Sequence, residues 1–127
     1  KLMAGKKIQI YGNGLNIRDW LHVKDHCDGI FLALTKGRSG AVYNFGADSE
    51  KTNLEIADVI LHQMGLNQSS IEFVADRLGH DLRYSVSFEK AKSDLGFVPR
   101  ISFEDGMRET IDWYLNNEAW WKALIAL

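Results

Sequence analysis

Thr52-Asn53-Leu54-Glu55-Ile56-Ala57-Asp58-Val59-Ile60-Leu61-His62-Gln63-Met64-Gly65 spells a helix with both of its ends marked. Thr52 followed by Glu55 is a capping-box pair, in which each side chain serves a backbone N–H that the first turn leaves without a partner. Ala57, Ile60, Leu61 and Met64 recur on one face, and Gly65 stands where a helix stop belongs. Short apolar runs flank this helix, Val42 to Phe45 before it and Ile71 to Val74 after it, and Lys7 to Tyr11 alternates as a further strand. Ser87 opens a shorter helix ending at Gly96. Ser102 with Asp105 opens the last, with a stripe of Phe103, Met107, Ile111, Tyr114 and Leu115. Helices alternating with strands predict an α/β chain of a few short strands and about four helices.

The 127 residues contain no repeat, low-complexity run or Pro/Gly-rich linker, so positions 1–127 are read as one domain. A net charge of -2 supplies no broad positive field, which argues against nucleic acid or an anionic membrane as partner. No apolar run approaches the roughly 20 residues that span a bilayer, and Lys1 to Gly5 is no signal peptide, so a soluble, cytoplasmic protein is expected. Cys27 is the single cysteine, which excludes an internal disulfide and fits a reducing compartment. It falls in a helical stripe with Val23, Ile30, Phe31 and Leu34, and that spacing predicts a buried structural thiol. His22, His26 and His62 lack metal-ligand spacing, so no metal site is expected.

The densest polar chemistry lies in Ala75-Asp76-Arg77-Leu78-Gly79-His80-Asp81-Leu82-Arg83-Tyr84. Guanidinium groups bind phosphate oxygens through paired, charge-assisted hydrogen bonds, and a glycine lets backbone N–H groups come close. The run therefore suits a loop that grips an anion. A charged surface turn with internal salt bridges has the same composition.

A second segment, Lys7-Ile8-Gln9-Ile10-Tyr11-Gly12-Asn13-Gly14, is followed by Ile17-Arg18-Asp19-Trp20-Leu21-His22-Val23-Lys24-Asp25-His26. With Val42-Tyr43-Asn44-Phe45-Gly46 and Lys51-Thr52-Asn53 between them, the two segments resemble the C-terminal part of the dTDP-glucose 4,6-dehydratases. These are NAD-dependent nucleotide-sugar dehydratases of the extended short-chain dehydrogenase/reductase type. The resemblance runs from Gly5 to Trp120. Arg-Asp-Trp followed by Val-x-Asp-His is shared by nucleotide-sugar dehydratases and epimerases, and Asp-Arg-x-Gly-His-Asp narrows it to the dTDP-glucose branch.

The resemblance implies a C-terminal substrate-binding lobe lacking the Rossmann cofactor domain, with the dTDP portion of a dTDP-sugar as its ligand. In that family NAD oxidises the sugar at C4, water leaves across C5 and C6, and the hydride returns to C6. The chain carries neither the glycine-rich NAD turn nor a tyrosine with lysine four residues on, so no catalytic or NAD-binding residue is assigned. NAD is the cofactor of the full-length family, none is expected to bind this chain alone, and the chain alone is expected to be inactive. Gln9, Ile10 and Tyr11 would border the thymine and deoxyribose, and Arg18 would approach the pyrophosphate. Asn53 would lie near the diphosphate or ribose. Arg77 and His80 would contact phosphate and sugar, Asp76 would orient the arginine or accept a ribose hydroxyl, and Gly79 would permit close approach. The family usually has proline at the position of Gln9, which implies a different backbone geometry beside the base, and it normally has proline at Leu78 and often arginine at Leu82, which implies a loop less rigid and less basic here. The Val42 to Phe45 run would pack as a strand of the absent nucleotide-binding sheet, and the chain ends in Trp113-Tyr114, Trp120-Trp121 and Ala123 to Leu127. Self-association or docking to a Rossmann domain is therefore expected. A lobe of a UDP-sugar epimerase or decarboxylase, and a truncated module that only folds and oligomerises, are the alternatives.

Overall fold

In the computed structural model, which describes residues 1–125, the helix at Thr52 forms as its spacing predicts. The elements run β1 (Ile8–Tyr11), β2 (Ile17–Asp19), α1 (Val23–Lys36), β3 (Glu50–Thr52), α2 (Asn53–Gln63), β4 (Ile71–Val74), β5 (Arg83–Tyr84), α3 (Glu89–Leu95), α4 (Phe103–Asn116) and α5 (Glu118–Ile125). Thr52 Oγ1 accepts the Glu55 N–H at 3.2 Å while the Glu55 carboxylate accepts the Thr52 N–H at 2.7 Å. Both halves of the capping box are made, and they fix where α2 begins.

β1 and β4 pair in parallel, Ile8 opposite Ile71 and Tyr11 opposite Val74. One face of α2 packs on this pair, and Ile10, Ala57, Leu61 and Ile71 form a buried cluster with Leu2, Ile8 and Leu54 at its margin. A second sheet has the order β3-β2-β5, with β2 antiparallel to β3 and parallel to β5. The second apolar cluster unites Phe88, Ala91, Leu95 and Phe97 with Phe45, Tyr43, Leu32 and Ala33. Phe97 meets Phe45 and Phe88 edge-on at centroid separations of 4.9 and 5.8 Å.

α1 is turned the opposite way from the prediction. Its inner face is Asp25 and Gly29, with Leu32 and Ala33 half-buried, whereas Cys27 is exposed and Phe31 and Leu34 are 64% and 81% exposed. Two contacts set that rotation. Asp25 is only 3% exposed, and one of its carboxylate oxygens accepts the backbone N–H groups of Arg100 and Ile101 at 3.0 and 2.9 Å. Gly29 meets the ring of Phe45 so closely that a Cβ there would stand 2.7 Å from Phe45 Cδ1. The apolar stripe is real, but it faces outward. The expectation of a buried thiol at Cys27 is thus overturned.

One further expectation needs correction. Val42 to Phe45 is unpaired backbone rather than a strand, since no neighbouring strand lies beside it among the described residues. Lys90 Nζ donates to the Val42 carbonyl at 2.8 Å instead. The last helix is divided, which gives five α-helices among the described residues. Asn116 and Asn117 donate their side-chain amides back to the carbonyls of Asp112 and Trp113, each at 2.8 Å, and Asn117 leaves helical geometry with φ -122 and ψ 33. Such back-bonding competes with the helix ladder. Ala126 and Leu127, the end of the apolar run, lie outside the described residues. No helix among the described residues is long and apolar enough to cross a membrane.

Two outcomes follow for the fold. Asp25→Ala leaves a part-buried pair of backbone donors without their acceptor and should cost roughly 1–3 kcal/mol of stability, with Asp25→Asn milder because an amide oxygen can occupy the same seat; urea unfolding of the three proteins measures this. Cys27 should react with a maleimide in the folded state at a rate close to that in urea, and a thiol that labels only after denaturation would contradict the placement of α1.

Candidate functional site

The exposed loop after β4 is drawn against the end of β1. Gly12 N–H donates to the Val74 carbonyl at 3.0 Å, so the Gly12-Asn13-Gly14 turn leaves β1 right beside the start of the loop. Gly12 is in the left-handed region with φ +57, and a Cβ there would stand 2.8 Å from Asp76 Oδ2. The bare Cα leaves room for the Asp76 carboxylate.

Asp76 organises the loop from within. Its Oδ1 accepts the Arg77 backbone N–H at 2.8 Å and pairs with His80 Nδ1 at 2.7 Å. The hydrogen bond from His80, followed by that from Arg77, holds the Asp76 carboxyl below the usual carboxylate range. His80 N–H closes the turn on the Arg77 carbonyl at 3.2 Å, and Gly79 occupies the turn with φ +70 and open space beside it. The His80 ring meets Tyr11 edge-on at 6.2 Å, and the Arg77 guanidinium carbon lies 5.1 Å from the Tyr11 ring centroid. Cation and ring attract through the ring quadrupole.

The far end of the loop is braced by β2. The Asp81 carbonyl accepts from Arg18 Nη2 at 3.0 Å and from Asn16 Nδ2 at 3.2 Å, while Ile17 N–H donates to the Leu82 carbonyl at 2.7 Å. β5 then continues in register, with Tyr84 opposite Arg18. Arg83 and Glu50 form a two-point ion pair that links β5 to β3 across β2, and this pair lowers the Glu50 carboxyl from its ordinary range.

Of the residues singled out in the sequence, Tyr11, Asp76, Arg77, Gly79 and His80 come together here, and Arg18 joins them through the Asp81 carbonyl. Arg18 also donates to its neighbour's carbonyl, Ile17 O, at 2.6 Å. Asp76 serves His80 and a backbone N–H, not the Arg77 guanidinium. Ile10 has its side chain in the core, so only its backbone can border a ligand. Gln9 is engaged by Lys1 at 2.8 Å and donates to Glu72 at 3.4 Å. Asn53 is the first residue of α2; its N–H donates to the Asn16 carbonyl at 3.1 Å, and it lines a small hollow of about 160 Å³ with Gln9, Tyr11 and Trp20.

Sequence reasoning missed three contributors. Asn16, 4% exposed, ties β2 to both Asp81 and Asn53. Gly12 shapes the seat of Asp76. Trp20 walls the hollow and, with Ile56 and Ile60, a larger apolar cleft of about 770 Å³ between the start of α1, α2 and α4. Its indole Nε1 is buried with no hydrogen-bond partner among the described residues. Asn16 flanks the Arg-Asp-Trp motif and Trp20 closes it, yet neither carries a local signal of burial. Among the described residues, no group of three or more His, Cys, Asp or Glu side chains could hold a metal ion.

Comparison with known proteins places this geometry in a lineage. The family model described as GDP-mannose 4,6 dehydratase matches residues 1–110. The dTDP-glucose 4,6-dehydratase of Actinoplanes sp. is 50% identical over 121 residues, which is 95% of this chain and 38% of that protein. The crystal structure of dTDP-glucose 4,6-dehydratase from Bacillus anthracis in complex with NAD superposes with a TM-score of 0.89 at 49% identity, covering 97% of this chain and 39% of that one. The enzyme of the same name from Streptomyces venezuelae, solved with NAD and TYD bound, gives a TM-score of 0.92 at 45% identity, covering 97% of this chain and 38% of that one. The chain therefore spans less than two-fifths of the length of these relatives. On the match of fold and sequence together, the chain belongs to the GDP-mannose 4,6 dehydratase family, within the extended short-chain dehydrogenases/reductases.

Proposed function

We propose that this chain is the substrate-binding lobe of a dTDP-glucose 4,6-dehydratase and grips the dTDP portion of a nucleotide sugar. The observation that carries the reading is the convergence of Arg77 and His80 on Tyr11, in a loop that Asp76 orders from within and Arg18 braces from outside. A diphosphate needs fixed donors, and a guanidinium beside an imidazole on a preformed turn supplies them. Tyr11 adds an aromatic surface for a base, and because Arg77 covers one face, the base would use the other or the ring edge.

The residues present do not fit the NAD of the relatives. A dinucleotide pyrophosphate rests on a helix N-terminus reached through a glycine-rich turn from a strand. Here β1 passes through Gly12-Asn13-Gly14 into β2. None of Tyr11, Tyr43, Tyr84 and Tyr114 has a lysine four residues on. The reading therefore gives these residues a binding and positioning role, with remote binding energy holding the hexose where chemistry supplied by other residues can reach it. The outward apolar stripe of α1 and the unpaired Val42 to Phe45 segment suit self-association or docking of a cofactor domain.

Calorimetric titration of the 127-residue chain should show dTDP binding more tightly than UDP, with no heat from NAD. Arg77→Ala should lose about 1.5–3 kcal/mol of dTDP binding, the worth of a charged hydrogen bond. A folded chain that ignores dTDP would reject the reading. Acid should also weaken binding. The Asp76 carboxyl is held low in the folded loop, so its ordering effect is complete above the ordinary carboxylate range and is lost as pH falls through that lowered value. Repeating the titration in steps down from neutral pH reads that loss.

A further inference from the structure

We propose that the apolar cleft between the start of α1, α2 and α4 is a second binding site, which takes a neutral planar molecule bearing a hydroxyl, as in a phenol, with that hydroxyl bridging His22 Nε2 and the Glu109 carboxylate. Neither polar group belongs to the loop after β4, so the site is separate from the nucleotide-binding reading above.

The cleft has the size and make-up of a small-molecule site. Its volume of about 770 Å³ falls within the range of pockets that enclose such ligands, and its walls are chiefly apolar. Ile56 and Ile60 line it from α2, and Met107 and Trp113 from α4. Trp20, Ile56 and Ile60 also line the hollow beside Tyr11, so the two spaces share one wall and are otherwise bounded by different residues.

Two polar side chains on the cleft are held in place by the chain itself. His22 caps α1: its Nδ1 accepts the Lys24 N–H at 3.3 Å, so in the neutral ring the hydrogen sits on Nε2. The His22 side chain is 9% exposed and rests on the bare Cα of Gly106, where a Cβ would stand 2.9 Å from His22 Cδ2. Glu109, on α4, gives Oε1 to the Lys24 ammonium and leaves Oε2 towards His22. The hydrogen bond from Lys24 holds the Glu109 carboxyl below its ordinary range, so Oε2 only accepts. Nε2 and Oε2 stand 3.8 Å apart, too far for a direct hydrogen bond, and Nε2–H has no other partner among the described residues.

A donor and an acceptor at that separation call for a hydroxyl. An oxygen about 2.8 Å from each atom spans the gap, accepting from Nε2–H and donating to Oε2. A carbonyl or ether oxygen makes the first bond but sets its lone pairs against the carboxylate, and an anionic ligand adds like charge. The Lys24–Glu109 pair leaves the exposed rim without net charge, which favours a neutral molecule. Water makes the same bridge but leaves the apolar walls wet, whereas a hydroxyl on an aromatic body makes the bridge and covers Trp113 and Met107 as well.

Titration of the 127-residue chain with 2-naphthol at neutral pH, followed by NMR of isoleucine and methionine methyl groups, tests the site. The Ile56, Ile60 and Met107 signals should shift and saturate, while that of Ile30, on the outward stripe of α1, stays in place. 2-Methoxynaphthalene and 2-methylnaphthalene are more apolar and on burial alone would bind more tightly; both should bind roughly tenfold more weakly than 2-naphthol, the worth of the hydrogen bonds they cannot complete. Glu109→Ala should remove the preference for 2-naphthol over 2-methoxynaphthalene. His22→Asn, whose side-chain oxygen can still cap α1, should remove it too, with an amide fingerprint spectrum to check that each variant folds. The wild-type comparison of the three ligands decides even where a variant does not fold. Shifts that fail to saturate, or that gather on Ile30 instead of the cleft, overturn the site. Equal or tighter binding of the two comparison ligands, or a preference that survives in both folded variants, overturns the bridge between His22 and Glu109 and the proposal with it.

Discussion

The orientation of α1 hangs on one carboxylate. Asp25 is buried with the N–H groups of Arg100 and Ile101 on a single oxygen, so it must remain where those donors are, at the connection between α3 and α4. That requirement turns the Asp25, Gly29, Leu32 and Ala33 face of α1 inward, brings Gly29 under Phe45, and lets Phe45 close on Phe97 and the α3 cluster. Asp19 does similar work at the end of β2, accepting the Ala47 and Ser49 N–H groups at 2.9 and 2.8 Å. The long connection between α1 and β3 has little ladder of its own, and its Ala47 and Ser49 donors are satisfied by the Asp19 carboxylate instead. Two aspartates thus do for the irregular backbone what strand pairing does elsewhere.

The loop at the candidate site is ordered in the same manner. Asp76 acts from within, and Arg18 and Asn16 act from β2 through the Asp81 carbonyl. Because these bonds exist before any ligand arrives, little loop entropy is left to be lost on binding. Arg18 is then a brace as well as a cation, holding the far end of the loop through the Asp81 carbonyl.

What could be read from the residues, and what could not, divides along a physical line. The α2 helix was legible because Thr52 and Glu55 act locally, and β1 and β4 were legible from their composition and alternation. The apolar stripe through Cys27 was also legible, but periodicity names a face without naming its partner, and a buried Asp25 outweighed it. Val42 to Phe45 has strand composition, yet a strand requires a neighbour, which lies in contacts and not in composition. The charged loop announced itself by its motif, and Tyr11, Arg77 and His80 do meet. The partner of Asp76 depended on how the turn at Gly79 closes, and the burial of Asn16 and Trp20 depended on elements far away in the chain.

The break at Asn117 shapes how this protein reports on itself. Three of its four tryptophans, Trp113, Trp120 and Trp121, gather on α4 and α5. There Trp113 meets Trp120 edge-on at 5.3 Å, and Trp121 Nε1 donates to the Tyr114 carbonyl at 2.8 Å. Trp20 stands alone between β2 and α1, beside the hollow at the end of β1. Intrinsic fluorescence is therefore weighted towards the C-terminal helix pair, a half-exposed outpost, and the candidate site has a single nearby emitter. A fluorescence melting curve would track the fraying of that outpost as much as the unfolding of the core. Trp20 is the spectroscopic window onto the part of the molecule that holds the candidate site.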